Sequence, residues 1–286
     1  MKVFLDYTQD ELDRAYDQRV WAPNAAEVIA RYATASAEVR RRVSRRADVR
    51  YGPTEDETLD VFPEASGSAP VLVFVHGGAW RGGHKDDYSF PAETLVGAGV
   101  GYVALNFAST PAARLPEMAD QVRRAIAWVY RNASRFGGDA SRLYLGGQSS
   151  GGHLAAVAMT TDWPGQFELP ADMIKGGLLV SGMYELAPVR LSKRSAYVAF
   201  DDRTVEELSP IRHLDRLRAP VVVAYGTCET PEFQRQTREF AAAVAAAGKP
   251  VRLLVGEHYN HFELPESLAN PYGLLGRAVL ELMGLR

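Results

Sequence analysis

A series of continuous apolar runs, each separated from the next by a polar or helical segment, constrains this chain more than any other feature. The runs are Val71–Val75, Val100–Leu105, Leu143–Leu145, Leu178–Val180, Val221–Tyr225 and Val251–Val255. They are unbroken rather than alternating, the pattern of strands covered on both faces. Met118, Val122, Ile126 and Val129 recur every four, four and three residues and draw one apolar stripe along a helix. That helix is expected to stop at Gly137, where a left-handed turn costs nothing. Phe233, Thr237, Phe240 and Val244 repeat the stripe, and Leu274, Leu275, Ala278, Val279 and Leu282 form a last helix. Strands alternating with helices imply βαβ units and an α/β fold with a mostly parallel central sheet flanked by helices. Val49–Tyr51 and Thr58–Phe62, joined by a short loop, read as an antiparallel edge.

Residues 8–46 read as helical and polar. Thr8 and Glu11 have capping-box spacing, Trp21-Ala22-Pro23 breaks the helix, and a second helix runs from about Asn24 to Ser44. Glu64–Ala69 reads as a short turn between strands. Residues 182–218 lack a strand period and read as an excursion over the sheet. At 286 residues the chain is expected to form one domain, with 1–46 and 182–218 covering its site.

Charge argues against a nucleic-acid partner: 32 Lys and Arg stand against 35 Asp and Glu, a net of −3. The local basic cluster Arg40, Arg41, Arg42, Arg45 and Arg46 reads as a solvated helix face. A lone cysteine, Cys228, excludes an internal disulfide framework and a multi-cysteine metal site. It is compatible with a reducing compartment. No apolar signal region follows Met1, and no run is long enough to span a bilayer. The expectation is a soluble cytoplasmic protein with a small-molecule substrate and no membrane partner. A homodimer is one option that the sequence leaves open.

Chemistry concentrates in a few short stretches. Gly147-Gln148-Ser149-Ser150-Gly151 has the G-x-S-x-G spacing of a nucleophile elbow, between the strand run Leu143–Leu145 and a helix-like run from His153 to Met159. His76-Gly77-Gly78-Ala79-Trp80 directly follows Val71–Val75, where a Gly-Gly turn can aim backbone N–H groups at a developing oxyanion. The N–H of Ser150 is the complementary donor. A serine nucleophile needs a base, and the base needs an orienting acid. In the chain order Ser, acid, His, the base falls after the last strand, where His258 and His261 both lie. The acid falls after Val221–Tyr225; Glu229 lies in the loop and is preferred to Glu232, which already begins a helix. His153 reads as a packed residue under the elbow, His84 and His213 as loop or surface residues, and His76 as a support for its loop. His258-x-x-His261 lacks the further ligands of a closed metal site, so no metal and no organic cofactor is expected.

These motifs resemble the hormone-sensitive-lipase-like branch of the α/β-hydrolase superfamily. Further stretches are similar to the arylformamidase (kynurenine formamidase) family: Tyr51-Gly52-Pro53, Leu59–Pro63, Ser181–Leu186 with Pro188, Ser209-Pro210, Glu229–Phe233 with Gln236, and His261-Phe262. The N-terminal Leu12-Asp13, Tyr16-Asp17, Arg19 and Ala22-Pro23-Asn24 extend the resemblance. It implies an α/β-hydrolase fold, with Ser149 as nucleophile, Glu229 as acid and His261 as base. His261 is chosen over His258 because the family's histidine precedes Phe. The oxyanion donors map to Gly77, Gly78 and Ser150. Two departures stand out: Phe107-Ala108-Ser109-Thr110-Pro111 replaces the Tyr-x-Leu-x-Pro of many relatives, and the acid is Glu where some have Asp. The implied reaction is cleavage of a formyl amide of an aromatic amine, such as N-formylkynurenine. A carboxylesterase or arylamidase acting on another small acyl group is the alternative. A binding protein without catalysis is the alternative of a different class, and the complete Ser149–Glu229–His261 set argues against it. Trp80, Tyr184 and Trp21 are candidate aromatic walls for the substrate.

Overall fold

The computed structural model describes residues 1–63 and 67–285. Among these, eight strands form one sheet in the order β1-β2-β4-β3-β5-β6-β7-β8. They are β1 (Arg46–Arg50), β2 (Thr58–Phe62), β3 (Ala69–Val75), β4 (Gly101–Leu105), β5 (Gly138–Gln148), β6 (Ile174–Val180), β7 (Val221–Gly226) and β8 (Val251–Gly256). Strands β1 and β2 form the antiparallel edge, and β3 to β8 run parallel. The Glu64–Ala69 turn falls in part on Glu64, Ala65 and Ser66, outside the described residues.

Helices cover both faces. They are α1 (Gln9–Ala15), α2 (Ala25–Arg42), α3 (Ala92–Gly97), α4 (Leu115–Asn132), α5 (Ser150–Met159), α6 (Trp163–Phe167), α7 (Leu186–Arg190), α8 (Asp202–Glu207), α9 (Pro231–Ala246) and α10 (Leu274–Leu282). The pleat sends Val71, Val73 and Val75 of β3 into one apolar core, while Leu72 and Phe74 enter the other. This two-sided burial explains the unbroken runs. The α4 stripe enters the first core, and the chain turns left-handed at Gly137, with φ 81°, after a short 3-10 extension.

Three expectations change in the structure. Strand β8 lies at a sheet edge, so Leu253 and Val255 stay partly exposed rather than buried on both faces. The first helix ends at Ala15, before the Trp21 break, and a 3-10 turn at Gln18–Val20 follows. The arginine cluster does more than face water: Arg42 pairs with Glu93, and Arg45 meets the buried Asp60 at 3.0 Å. These contacts tie α2 and the chain beyond it to the fold.

The 182–218 stretch consists of α7, α8 and two 3-10 turns, with no strand. It is hydrogen-bonded to the N-terminal segment. Gln9 Nε2 donates to the Leu191 carbonyl at 2.8 Å, the Lys193 N–H donates to Asp13, and Lys193 pairs with Asp17.

The chain turns back at β3: β4 is added on one side of it and β5 on the other. Ligands in open parallel sheets bind beyond the strand C-termini at such a reversal. Burial makes the core sensitive to truncation. Ile126→Ala, at a fully buried α4 position, is expected to cost about 2–5 kcal/mol. Urea unfolding should show a lower midpoint with the slope unchanged; an unchanged midpoint would refute the packing assigned to α4.

Candidate active site

The elbow is built by close backbone approach. Val75 of β3 pairs with Gly147 of β5, which brings the loops after both strands together. A Cβ on Gly151 would sit 2.1 Å from the Val75 carbonyl oxygen, and one on Gly147 would sit 2.3 Å from the Gly151 oxygen. Only glycine lets α5 start so close to β3. Ser149 sits between β5 and α5 at φ 58°, ψ −123°, a conformation that non-glycine residues adopt only at a cost of about 1–3 kcal/mol. Its N–H donates to the Val180 carbonyl at 2.9 Å, which anchors the turn to the end of β6.

The loop after β3 is also forced. Gly78, Ala79 and Trp80 all have positive φ, at 131°, 56° and 60°. His76 braces the turn: its Nδ1 lies 2.7 Å from the Gly77 carbonyl, and its ring stacks on Phe107 at 4.4 Å. Phe107 opens the stretch that departs from the family pattern. The Tyr88 ring lies beside that of His76, and its hydroxyl donates to Gln148 Oε1 at 3.4 Å.

The expected acid and base come from the next two strand ends. Glu229, in the loop after β7, and His261, beyond β8, meet with Glu229 Oε2 2.8 Å from His261 Nδ1. Both are buried, as is Ser149. Glu229 Oε1 accepts from the Ser181 hydroxyl at 2.5 Å and from the Gly226 N–H at 2.8 Å. Oε2 also accepts from Gln18 Nε2 at 3.0 Å. With its acceptors so occupied, the carboxylate is held in one orientation. The alternatives lie elsewhere. His258 is exposed and does not meet Glu229, and Glu232 pairs with Arg235 and accepts from the Tyr16 hydroxyl.

Gln18 and Ser181 are the partners of the acid that sequence reasoning missed. Gln18 lies in no motif and is 211 residues from Glu229, whereas Ser181 opens the family-like stretch Ser181–Leu186, which assigned it no contact. Gln148 is a third. Its amide nitrogen lies 3.1 Å from His261 Nε2 and 3.3 Å from the His261 carbonyl. With Nδ1–H directed at Glu229, Nε2 carries the single lone pair of a neutral imidazole, and the Gln148 N–H fills it.

The aromatic candidates separate. Trp80 is buried on the loop after β3, edge-on to His153 at 5.2 Å. The Tyr184 ring stacks on Phe240 at 4.2 Å, and its hydroxyl accepts from the Gly182 N–H. Trp21 is 43% exposed and lines a surface groove with Tyr7 and Pro231. His153 lies under the elbow, with Nε2 2.7 Å from the Leu208 carbonyl. Cys228 is exposed. Among the described residues no cluster of His, Cys, Asp and Glu could hold a metal ion, and no helix is long and apolar enough to cross a membrane.

Residues 59–175 match the BD-FAE family. The kynurenine formamidase of Danio rerio is 34% identical over 97% of this chain and 97% of its own length. That of Salmo salar is 32% identical over 99% of both chains. The chain belongs to the kynurenine formamidase family of α/β-hydrolases. Esterase LipC of Mycobacterium tuberculosis is 30% identical over 73% of this chain and 57% of LipC. Two solved structures share the fold: one from Silicibacter sp. TM1040, with TM-score 0.84 and 24% identity over 93% of this chain and 98% of that one, and an esterase B from Lactobacillus rhamnosis, with TM-score 0.75 and 19% identity over 97% and 96%. Like its family, the chain is a hydrolase.

Burial holds the pKa of His76 and of His153 down to about 4, so both rings are neutral at pH 7. Unfolded, each would take up a proton near pH 6.5. Stability is therefore complete above pH 6.5 and is lost as pH falls toward 4, because the unfolded chain binds more protons in that window. The unfolding free energy should fall by up to about 1.4 kcal/mol per pH unit for each ring. Urea titrations at pH 7 and pH 5 check this, and His153→Gln should flatten the dependence. A second expectation concerns the acid: Gln18→Leu should lower kcat/KM by about 10-fold or more, since hydrogen bonds to a charged group contribute about 1.5–3 kcal/mol. Wild-type turnover in that variant would remove Gln18 from the site.

Proposed function

We propose that the protein hydrolyses the formyl amide of an aromatic amine, N-formylkynurenine or a close analogue, through Ser149, His261 and Glu229. The observation that carries this reading is the 2.8 Å contact of His261 with a fully hydrogen-bonded Glu229, beside a strained Ser149. The near full-length likeness to kynurenine formamidases supports the substrate class.

Ser149 Oγ attacks the formyl carbon as His261 Nε2 takes its proton. For that, the Gln148 amide has to turn away from Nε2, which has only one lone pair to offer. Glu229 keeps the imidazole in the Nδ1–H tautomer and stabilises the imidazolium. The tetrahedral oxyanion is held by the Ser150, Gly77 and Gly78 N–H groups. Collapse expels the aromatic amine, which takes its proton from His261. Water, activated by the same histidine, then attacks the formyl ester and releases formate and Ser149. Formyl is the smallest acyl group, which suits a serine as closely covered as this one.

A second reading, an esterase or arylamidase for another small acyl group, is favoured by the likeness to LipC and by the Phe107–Pro111 departure. Rates on N-formyl-L-kynurenine and on a short-chain p-nitrophenyl ester separate the two. A kcat/KM of about 10⁴ M⁻¹s⁻¹ or more on the formamide is expected. Ser149→Ala should lose at least about 10³-fold on both substrates. Fast ester cleavage with negligible formamide cleavage would move the function to the second reading, and an unimpaired Ser149→Ala variant would sink both.

A further inference from the structure

Arg194 lies in the 3-10 turn Lys193–Ala196, within the excursion between β6 and β7. It is only 6% exposed. Its guanidinium carbon stands 5.7 Å from the centre of the Trp80 ring and 5.8 Å from that of Phe233. Trp80 belongs to the loop after β3. Phe233 packs edge-on against His261 at 5.0 Å. Arg194 is thus a single ring away from the candidate base and in contact with the candidate oxyanion loop.

Its partners do not neutralise it. Nη1 meets the Tyr197 hydroxyl at 3.0 Å, and Nη2 donates to the Tyr16 carbonyl at 2.7 Å. Nε is buried with no partner. Among the described residues no carboxylate forms an ion pair with Arg194; Asp17, which feels its charge, hydrogen-bonds Lys193 instead. Other covered cations here do meet carboxylates, Lys85 with Asp60 and Arg235 with Glu232. An uncompensated buried charge is costly, and stacking on two rings offsets only part of that cost. Pinning one carbonyl does not require it.

We propose that Arg194 receives the carboxylate of the substrate, on the leaving-group side of the scissile bond, and so selects aromatic acyl compounds that carry a carboxylate over those that lack it. The proposal rests on the hydrolase reading above and specifies its substrate class. The open Nε–H and the second hydrogens on Nη1 and Nη2 offer a fork that suits a carboxylate. Trp80 and Phe233 stand beside the fork to flank an aryl group. Ser149 and His261 are as closely covered as Arg194, so any substrate that reaches them opens this part of the molecule.

The test compares N-formyl-L-kynurenine with N-formylkynuramine, which lacks only the carboxylate, in wild type, Arg194→Gln and Arg194→Lys. The wild type should prefer the carboxylated substrate. Arg194→Gln should lose about 10- to 100-fold more in kcat/KM on it than on the decarboxylated one, mainly through KM. Arg194→Lys should fall between. Equal losses on both substrates would overturn the proposal and leave Arg194 a structural peg. Should the variants not fold, product inhibition of the wild type decides: L-kynurenine must inhibit more tightly than kynuramine, and equal inhibition overturns the assignment. If neither formamide turns over, the formamide reading fails on its own. The acetate esters of 4-hydroxyphenylpropionate and 4-ethylphenol then carry the same comparison, and absence of a preference for the acid would defeat the role of Arg194.

Discussion

The site depends on one close contact, the approach of α5 to the end of β3 across the Val75–Gly147 pairing. Gly151 lies so near the Val75 and His76 carbonyls that no side chain fits between them. That contact sets the start of α5 directly behind Ser149 and forces the serine into its left-handed turn. It also brings the His76–Trp80 loop beside the elbow, because β3 and β5 are neighbours at the reversal of the sheet. Strands β6, β7 and β8 then follow in spatial order, so Ser181, Glu229 and His261 arrive in sequence beyond the C-terminal ends of successive strands.

Polar satisfaction completes what the backbone begins. Glu229 is buried, and a buried carboxylate persists only when its oxygens are well supplied with donors. Here they come from the base, from the end of β6, from the end of β7 and, through Gln18, from the N-terminal segment. That segment is itself held by Tyr16, whose hydroxyl donates to Glu232 and whose carbonyl accepts from Arg194. The N-terminal segment and the orientation of the acid are therefore parts of one hydrogen-bonded unit.

Much of this was legible residue by residue. The apolar runs fell on observed strands because two-sided burial leaves an unbroken signature, and the edge strand β8 misled because its composition does not record which face is solvated. Ser149 stood out because close packing at an elbow demands glycine at fixed offsets, and the acid and base loops followed from chain order. Choosing Glu229 over Glu232 and His261 over His258 needed a preference that the structure expresses as distance. The contacts of Gln18, Gln148 and Ser181 were not legible, although Gln148 lies in the elbow and Ser181 in a family-like stretch, because a single hydrogen bond to a distant side chain imposes no spacing on the sequence around it.

By itself, the sequence determined the alternation of strand and helix, the parallel sheet, the elbow and the order of the reactive groups. These depend on local backbone geometry and on burial patterns that repeat along the chain. Tertiary structure alone decided which histidine meets which glutamate, how the N-terminal segment reaches the acid, and that Arg194 is buried with no ion pair among the described residues. Those features depend on distances between segments up to 211 residues apart, and such distances are set by the packing of the whole sheet.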